Sequence, residues 1–586
     1  MKFISTAVLC AGASFAVFAQ ETKKDTTTIN TINLQEVLVR GGDNDPNLSM
    51  VINQDSLNPV QPKNVADLFS GISGFTVVKR GNYAMDPSFR GSIYEQLNVQ
   101  YDGGVKAMHA CPNRMDPITT HVLPEEVRKI EVIKGPFSVR YGATFGGIVN
   151  FVTKVPRYEN GLSGHVLGGY ETNGGSYVTG AQLNFAKKGF FIAGNAGYRD
   201  FGSYSDGNGT EIPSYFKSTE YGVKTGYNFA KRHFIQLHWR QSFGRDIAHA
   251  GLPMDTDYDN SSIATLGYRY ISNKDKFKAL NFKAYYSFVD HLMTNTNRPN
   301  FMMVDAQSGV EATTLGGKLE LELQPTKNLA LFTGIDGMSV GRDGGRVRTV
   351  KLDMMGNPLV NPKVFNDKIW QNSTLTDIGV FAEGIYDFKR KRYLTVGLRY
   401  DNVTTSINDP EADFDALYDL QDRMEHNLSG TVSYKQKFSN LISLELAYGR
   451  GARSANMIER YINHFTVGQD AYEYVGNPDL KAEANNQFEI GLNGTTRTFK
   501  NVNGFSYSAS IFYSKYENYI LAVVDTTLNR KFMPTMMPQH VKVFRNLDNA
   551  YRTGGELTLK YKTSKNKQGF NITRIYYYFF RPLNCT

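Results

Sequence analysis

Residues 234–243 read FIQLHWRQSF, in which Ile235, Leu237 and Trp239 alternate with Gln236, His238 and Arg240. Strict alternation over about ten residues marks a β-strand with one face toward lipid and the other toward a polar lumen. The pattern recurs downstream and upstream, in GHVLGGYE (164–171), FFIAGNAGYRDF (190–201), TVGLRYDNV (395–403) and SYSASIFYSKY (506–516). A soluble sandwich also alternates, so the connections must arbitrate. They run short and long in turn. FAKKG (185–189), FAKRH (229–233), SNKDKFK (272–278), QPTKN (324–328), DFKRKR (387–392), KQKFSN (435–440), RTFKNVN (497–503) and TSKNKQG (563–569) are short. Between them lie long loops near 202–216, 245–261, 294–310, 341–374, 405–425, 450–485 and 525–545. Short periplasmic turns opposite long outer loops belong to outer-membrane barrels, and a sandwich has no reason to keep that parity. The fold expected over 155–586 is an all-β transmembrane barrel.

Counting gives about seventeen strands, whereas bacterial single-chain barrels carry an even number. The final RIYYYFFRPLNCT (574–586) offers neither a clean alternating strand nor a terminal aromatic, so the reading is a barrel truncated at its C-terminus. Composition agrees with the membrane wall. Of 586 residues, 41% are hydrophobic and 13% aromatic, which excludes a disordered chain. Beyond the leader no apolar run approaches the ~20 residues of a spanning helix. The net charge of +9 collects largely in the short turns, not in a block, so nucleic acid is not an expected partner.

The N-terminus divides further. Met1-Lys2, an apolar stretch from Phe3 to Phe18 and the small-residue ending AVFA (16–19) make residues 1–19 a secretory signal peptide. Cys10 follows Leu9, where a lipoprotein leader needs a small residue. Residues 20–44 read as a flexible tether that carries one alternating extended stretch, Leu34-Gln35-Glu36-Val37-Leu38-Val39. Residues 45–154 are mixed, with a short helix over 64–70 capped by Asn64 and strand candidates at 76–79, 97–101 and 130–133, giving an α+β domain.

GPFSVRYGATFGGIVNFVTK (135–154), preceded by Phe89-Arg90-Gly91 and Asp102-Gly103, resembles the plug domain of TonB-dependent outer-membrane receptors. RGARSANMIERY (450–461) and NPDLKAEANNQFEIG (477–491) resemble that family's late-barrel motifs, and the likeness runs from about 33 to 570. The resemblance implies a barrel of the 22-stranded type in a Gram-negative outer membrane, plugged from within by residues 45–154. It implies import without enzymatic activity, and TonB with ExbB/ExbD as partner through Leu34–Val39. Physics supports a mechanical coupling, because the outer membrane has no nucleotide supply and the chain has no phosphate-binding Gly-Lys motif. An extended segment on a tether can add as a strand to a periplasmic partner.

The cargo is read from MHACPNRMDP (108–117). A cysteine in an exported chain with no plausible partner is a free thiol or a ligand. Cys111 stands four residues before Met115, so a turn can aim both sulfurs at one point. In NFKAYYSFVDHLM (281–293), Phe282, Ala284, Tyr286 and Phe288 suit lipid. Lys283, Tyr285, Ser287, Val289, His291 and Met293 then face the lumen, near the outer rim. Thiolate, two thioethers and an imidazole form a soft set that favours Cu(I) over zinc, and over iron more strongly. Cys-x-x-x-Met in the plug with His-x-Met in the barrel resembles the copper receptors of the family, as does HAGLPMDT (249–256). That likeness implies copper-ligand roles for Cys111, Met115, His291 and Met293, with copper as transported ligand and no catalytic cofactor. Met254, Met302 and Met303, with Met354-Met355 and Met536-Met537, are candidates for an accessory thioether relay on outer loops. His109 and His121 suit hydrogen bonding to backbone. The alternatives are a ferric-siderophore receptor of the same fold and an adhesive or phage-binding barrel. A hydrolytic barrel is disfavoured, since no Gly-x-Ser-x-Gly elbow of that kind occurs.

Overall fold

The computed structural model describes residues 48–53, 61–155, 161–353, 355–496, 504–532, 536–548, 550–562 and 572–580. Residues 1–19, read as a leader, the Leu34–Val39 segment, Met354, the stretches 497–503 and 563–569, read as short turns, and Cys585 lie outside the described residues.

Eighteen strands, from Gly161–Glu171 to Ile572–Phe580, build a closed barrel of antiparallel pairs. The resemblance implies twenty-two; eighteen are present among the described residues. One more strand is present than the alternation discloses. Pro358–Lys368 lies in the stretch read as the loop 341–374, and it pairs with the outer half of Leu329–Leu352. The inner half of Leu329–Leu352 pairs with Ser373–Asp387 instead. Pro358–Lys368 is exposed along nearly its whole length. With solvent on both faces nothing selects for alternation, so the sequence conceals it.

The loops read at 450–485 and 525–545 are likewise not irregular. Phe465–Thr466, Glu473–Val475, Tyr519–Asn529 and His540–Leu547 build a separate four-stranded sheet. Strands such as Phe277–Thr294 and Val304–Thr326 also run into the stretch read as the loop 294–310.

The wall inverts the polarity of a soluble protein. Leu162, Val166, Leu237, Leu398, Ile490 and Ile511 are exposed on the outside, while Lys224, Arg240, Glu320 and Arg399 are buried on the inside. A closed sheet leaves no strand edge unpaired in hydrocarbon, which is what allows strands to cross a bilayer.

The buried polar face meets the N-terminal domain. Its sheet runs Ser49–Asn53, Val127–Ile133, Ile148–Thr153, Asn98–Tyr101, the last two parallel. A short 3-10 helix, Val65–Phe69, begins at Asn64, whose side chain accepts from Ala66 N. Phe69, Phe75, Phe89 and Phe151 form its aromatic core, with the Phe69 and Phe75 rings 4.2 Å apart.

Charge then locks this plug to the wall. Arg90 reaches Glu489 at 2.7 Å and Glu556 at 2.6 Å, and its guanidinium lies 4.2 Å from the Phe512 ring centroid. At Gly451 the wall comes so close that a Cβ would overlap the carbonyl oxygen of plug Thr144.

Candidate metal centre

Residues 108–117 form a plug loop folded on its own carboxylate. Asp116 accepts from Ala110 N at 2.5 Å and Cys111 N at 3.0 Å, while Arg114 N donates to Cys111 O at 2.8 Å. This tight turn, with Arg114 at φ +53°, places Cys111 and Met115 on one side. Arg114 is held in turn by Asp86 at 2.9 Å and Glu95 at 2.8 Å.

The barrel grips the same loop from outside. Trp370 Nε1 donates to Ala110 O at 2.6 Å, and Arg342 Nε donates to His109 O at 2.8 Å. His109 contacts Cys111 O through Nδ1 at 2.8 Å and Glu95 through Nε2, so its ring serves the backbone as expected.

On the wall, the odd-numbered residues of Phe277–Thr294 from Lys283 to Met293 are buried, so His291 and Met293 do face the lumen. The neighbouring strand Asp255–Ile271 pairs Thr256 with Met293 and Asp259 with His291, with a register shift between Thr256 and Tyr258. Residues three apart normally point to opposite faces of a strand. The extra residue of a bulge removes that conflict and turns both Thr256 and Asp259 inward.

The four expected donors therefore meet. Cys111, Met115, His291 and Met293 are each 0% exposed. Cys111 Sγ lies 3.1 Å from Met293 Sδ, and the thiol also interacts with the His291 ring. The Thr256 hydroxyl stands 3.2 Å from His291 Nε2, 2.9 Å from His249 Nε2 and 3.6 Å from Met115 Sδ. Plug and wall thus bring their sulfurs into one buried cluster, with Thr256 between Met115 and His291. Three sulfurs and one imidazole nitrogen suit a soft cation.

The accessory methionines divide. Met254 is half-buried against the same cluster, whereas Met302 and Met303 are exposed on the outer turn Pro299–Met302 and its C-cap. Met355, Met536 and Met537 are exposed as well.

Sequence reasoning gave no role to Asp259 or Asp116, and took His249 and Thr256 only as the two ends of HAGLPMDT. His291, Asp259 and Asp116 bring ligand atoms within 4.8 Å of one another. Asp116 stood unnoticed beside Met115, and Asp259 was reachable only through a bulge that no residue pattern announces.

Comparison with known proteins fixes the family. The model of the TonB dependent receptor-like β-barrel matches residues 170–582, and that of the TonB-dependent receptor plug domain matches 44–148. The heme transporter BhuA of Brucella ovis is 25% identical over 467 residues, covering 74% of this chain and 64% of that protein. The chain thus spans less than two thirds of that curated relative. Among solved structures, the copper transporter OprC superposes with a TM-score of 0.72 at 22% identity, over 89% of this chain and 78% of that one. The Serratia marcescens hemophore receptor HasR gives 0.67 at 17% identity, over 88% and 79%. Such identities bear on the fold alone, while the family models span most of the sequence. The chain belongs to the TonB-dependent receptor family, as a plugged β-barrel of the Gram-negative outer membrane.

Proposed function

We propose that this receptor imports copper, taken as Cu(I), through its plugged barrel. The observation that carries the reading is the 3.1 Å approach of Cys111 Sγ to Met293 Sδ, a plug thiol against a barrel thioether. Met115 and His291 complete the donor set around Thr256. Thioethers bind Cu(I) well and are poor ligands for zinc or for ferric iron.

The ion is captured between plug and wall. TonB, with ExbB/ExbD, engages Leu34–Val39 by strand addition and pulls the tether. Displacing the plug separates Cys111 and Met115 from His291 and Met293, which lowers affinity and releases the ion inward. Two donors on each of two bodies make release a consequence of movement, without covalent chemistry.

The test is metal content after anaerobic loading with Cu(I), comparing the native chain with Cys111→Ala. One copper per native chain and little in the variant is the expected result; equal content overturns the copper site. A second reading, haem uptake, is favoured by the likeness to BhuA. It predicts a haem spectrum on titration that Cys111→Ala leaves unchanged.

A further inference from the structure

His291 offers its two ring nitrogens to two different environments. Nε2 is turned to Thr256 and the sulfur donors, whereas Nδ1 faces Asp259 Oδ1 at 3.6 Å. That gap is too wide for a hydrogen bond, and neither atom has another hydrogen-bond partner. Both side chains are 0% exposed. Only a protonated ring makes this an ion pair; with the neutral imidazole that a metal ligand requires, a buried nitrogen and a buried carboxylate oxygen without a hydrogen bond are costly, and a cation between them removes that cost.

The spacing says what. Metal bonds of about 2.1 Å to nitrogen and oxygen, at a tetrahedral angle, hold the two atoms about 3.4 Å apart. Asp259 is pre-set for the role, because Tyr83 donates to its Oδ2 at 2.7 Å and leaves Oδ1 free. Asp116 supplies the third donor within the same 4.8 Å group. Its two backbone hydrogen bonds leave lone pairs unused, since a carboxylate has about four.

We propose that His291 Nδ1, Asp259 and Asp116 form a second cation position behind the sulfur set, suited to a divalent transition ion of borderline hardness. Oxygen and nitrogen donors without sulfur select such ions, in contrast to the soft position in front. A neutral imidazole carries one lone pair, so the two positions alternate and are not filled together. His291 is then a pivot between them. As a step in import this rests on the copper reading; as a binding site it stands without it.

Cobalt(II) is the probe, used with the full-length chain in detergent. The Cys111→Ser variant is expected to bind one Co(II) with no thiolate-to-cobalt band in the near ultraviolet. Adding Asp259→Asn, which keeps the shape and the Tyr83 contact, should weaken Co(II) by at least about tenfold. The site is overturned if Cys111→Ser binds no Co(II), or if Asp259→Asn leaves the affinity unchanged. Should the asparagine variant fold poorly, native chain loaded with Co(II) decides: an intense thiolate band places the ion on Cys111 and also overturns the proposal. Failure of the copper reading shows separately, as equal Cu(I) content in native and Cys111→Ala chains.

Discussion

Cys111 Sγ and Met293 Sδ lie 3.1 Å apart although 182 residues separate them in the chain. One belongs to the plug and the other to the wall, so their contact exists only while the plug is seated. Because the pair is direct, Met293→Leu should mimic Cys111→Ala. Both keep the shape of the cluster, and each should lower Cu(I) affinity by more than the roughly 10–100-fold typical of an outer-shell change. Competition with a Cu(I) chelator measures it, and a variant within a factor of two of the native chain would remove that residue from the site.

Thr256 touches His249, His291 and Met115 through one hydroxyl. Thr256→Val keeps the volume and deletes those contacts. Orientation of His291 is lost, and Cu(I) affinity should fall about 10–100-fold while the melting of the barrel is little changed. An unaltered affinity would show that the hydroxyl is only a spacer.

Arg90 is the plug's buried anchor. Arg90→Leu strands the carboxylates of Glu489 and Glu556, although Lys134 still reaches Glu556 at 2.9 Å. Breaking a buried pair from one side costs about 3–5 kcal/mol. The plug should then become trypsin-sensitive at denaturant concentrations where the native chain resists, with the strand signal of the wall intact. Identical cleavage profiles would refute the anchor.

Acid should loosen the loop that carries Cys111. Burial works against the charges of Asp86 and Glu95, but their partners together outweigh it: Arg114 and Arg80 for Asp86, and Arg114 with His109 and Arg342 for Glu95. Both carboxyls sit below their ordinary range. A depressed pKa gives stability that is complete above the unfolded value, about 4 to 4.5 here, and is lost as pH falls toward the folded value. Amide exchange across 108–117 should therefore rise below about pH 4.5, and Glu95→Gln should flatten the profile. Exchange that stays constant through that window contradicts the argument.

Much of this was legible in the chain. The lumen-facing parity of His291 and Met293 follows from period-two alternation, because lipid outside and a polar plug inside impose opposite chemistry on successive residues. The turn that joins Cys111 to Met115 was readable from their spacing. Pro358–Lys368 was not, since solvent on both faces leaves a strand without a pattern. Asp259 was hidden for a different reason. A bulge shifts the phase by one residue, and only the paired strand reveals the shift.

The complete burial of Cys111 makes the thiol a clock. It is the one free cysteine among the described residues, and a maleimide can meet it only when the outer loops part or the plug shifts. In a Cys585→Ser background, its alkylation rate reports how often the mouth opens, with no cargo added and no transport assayed.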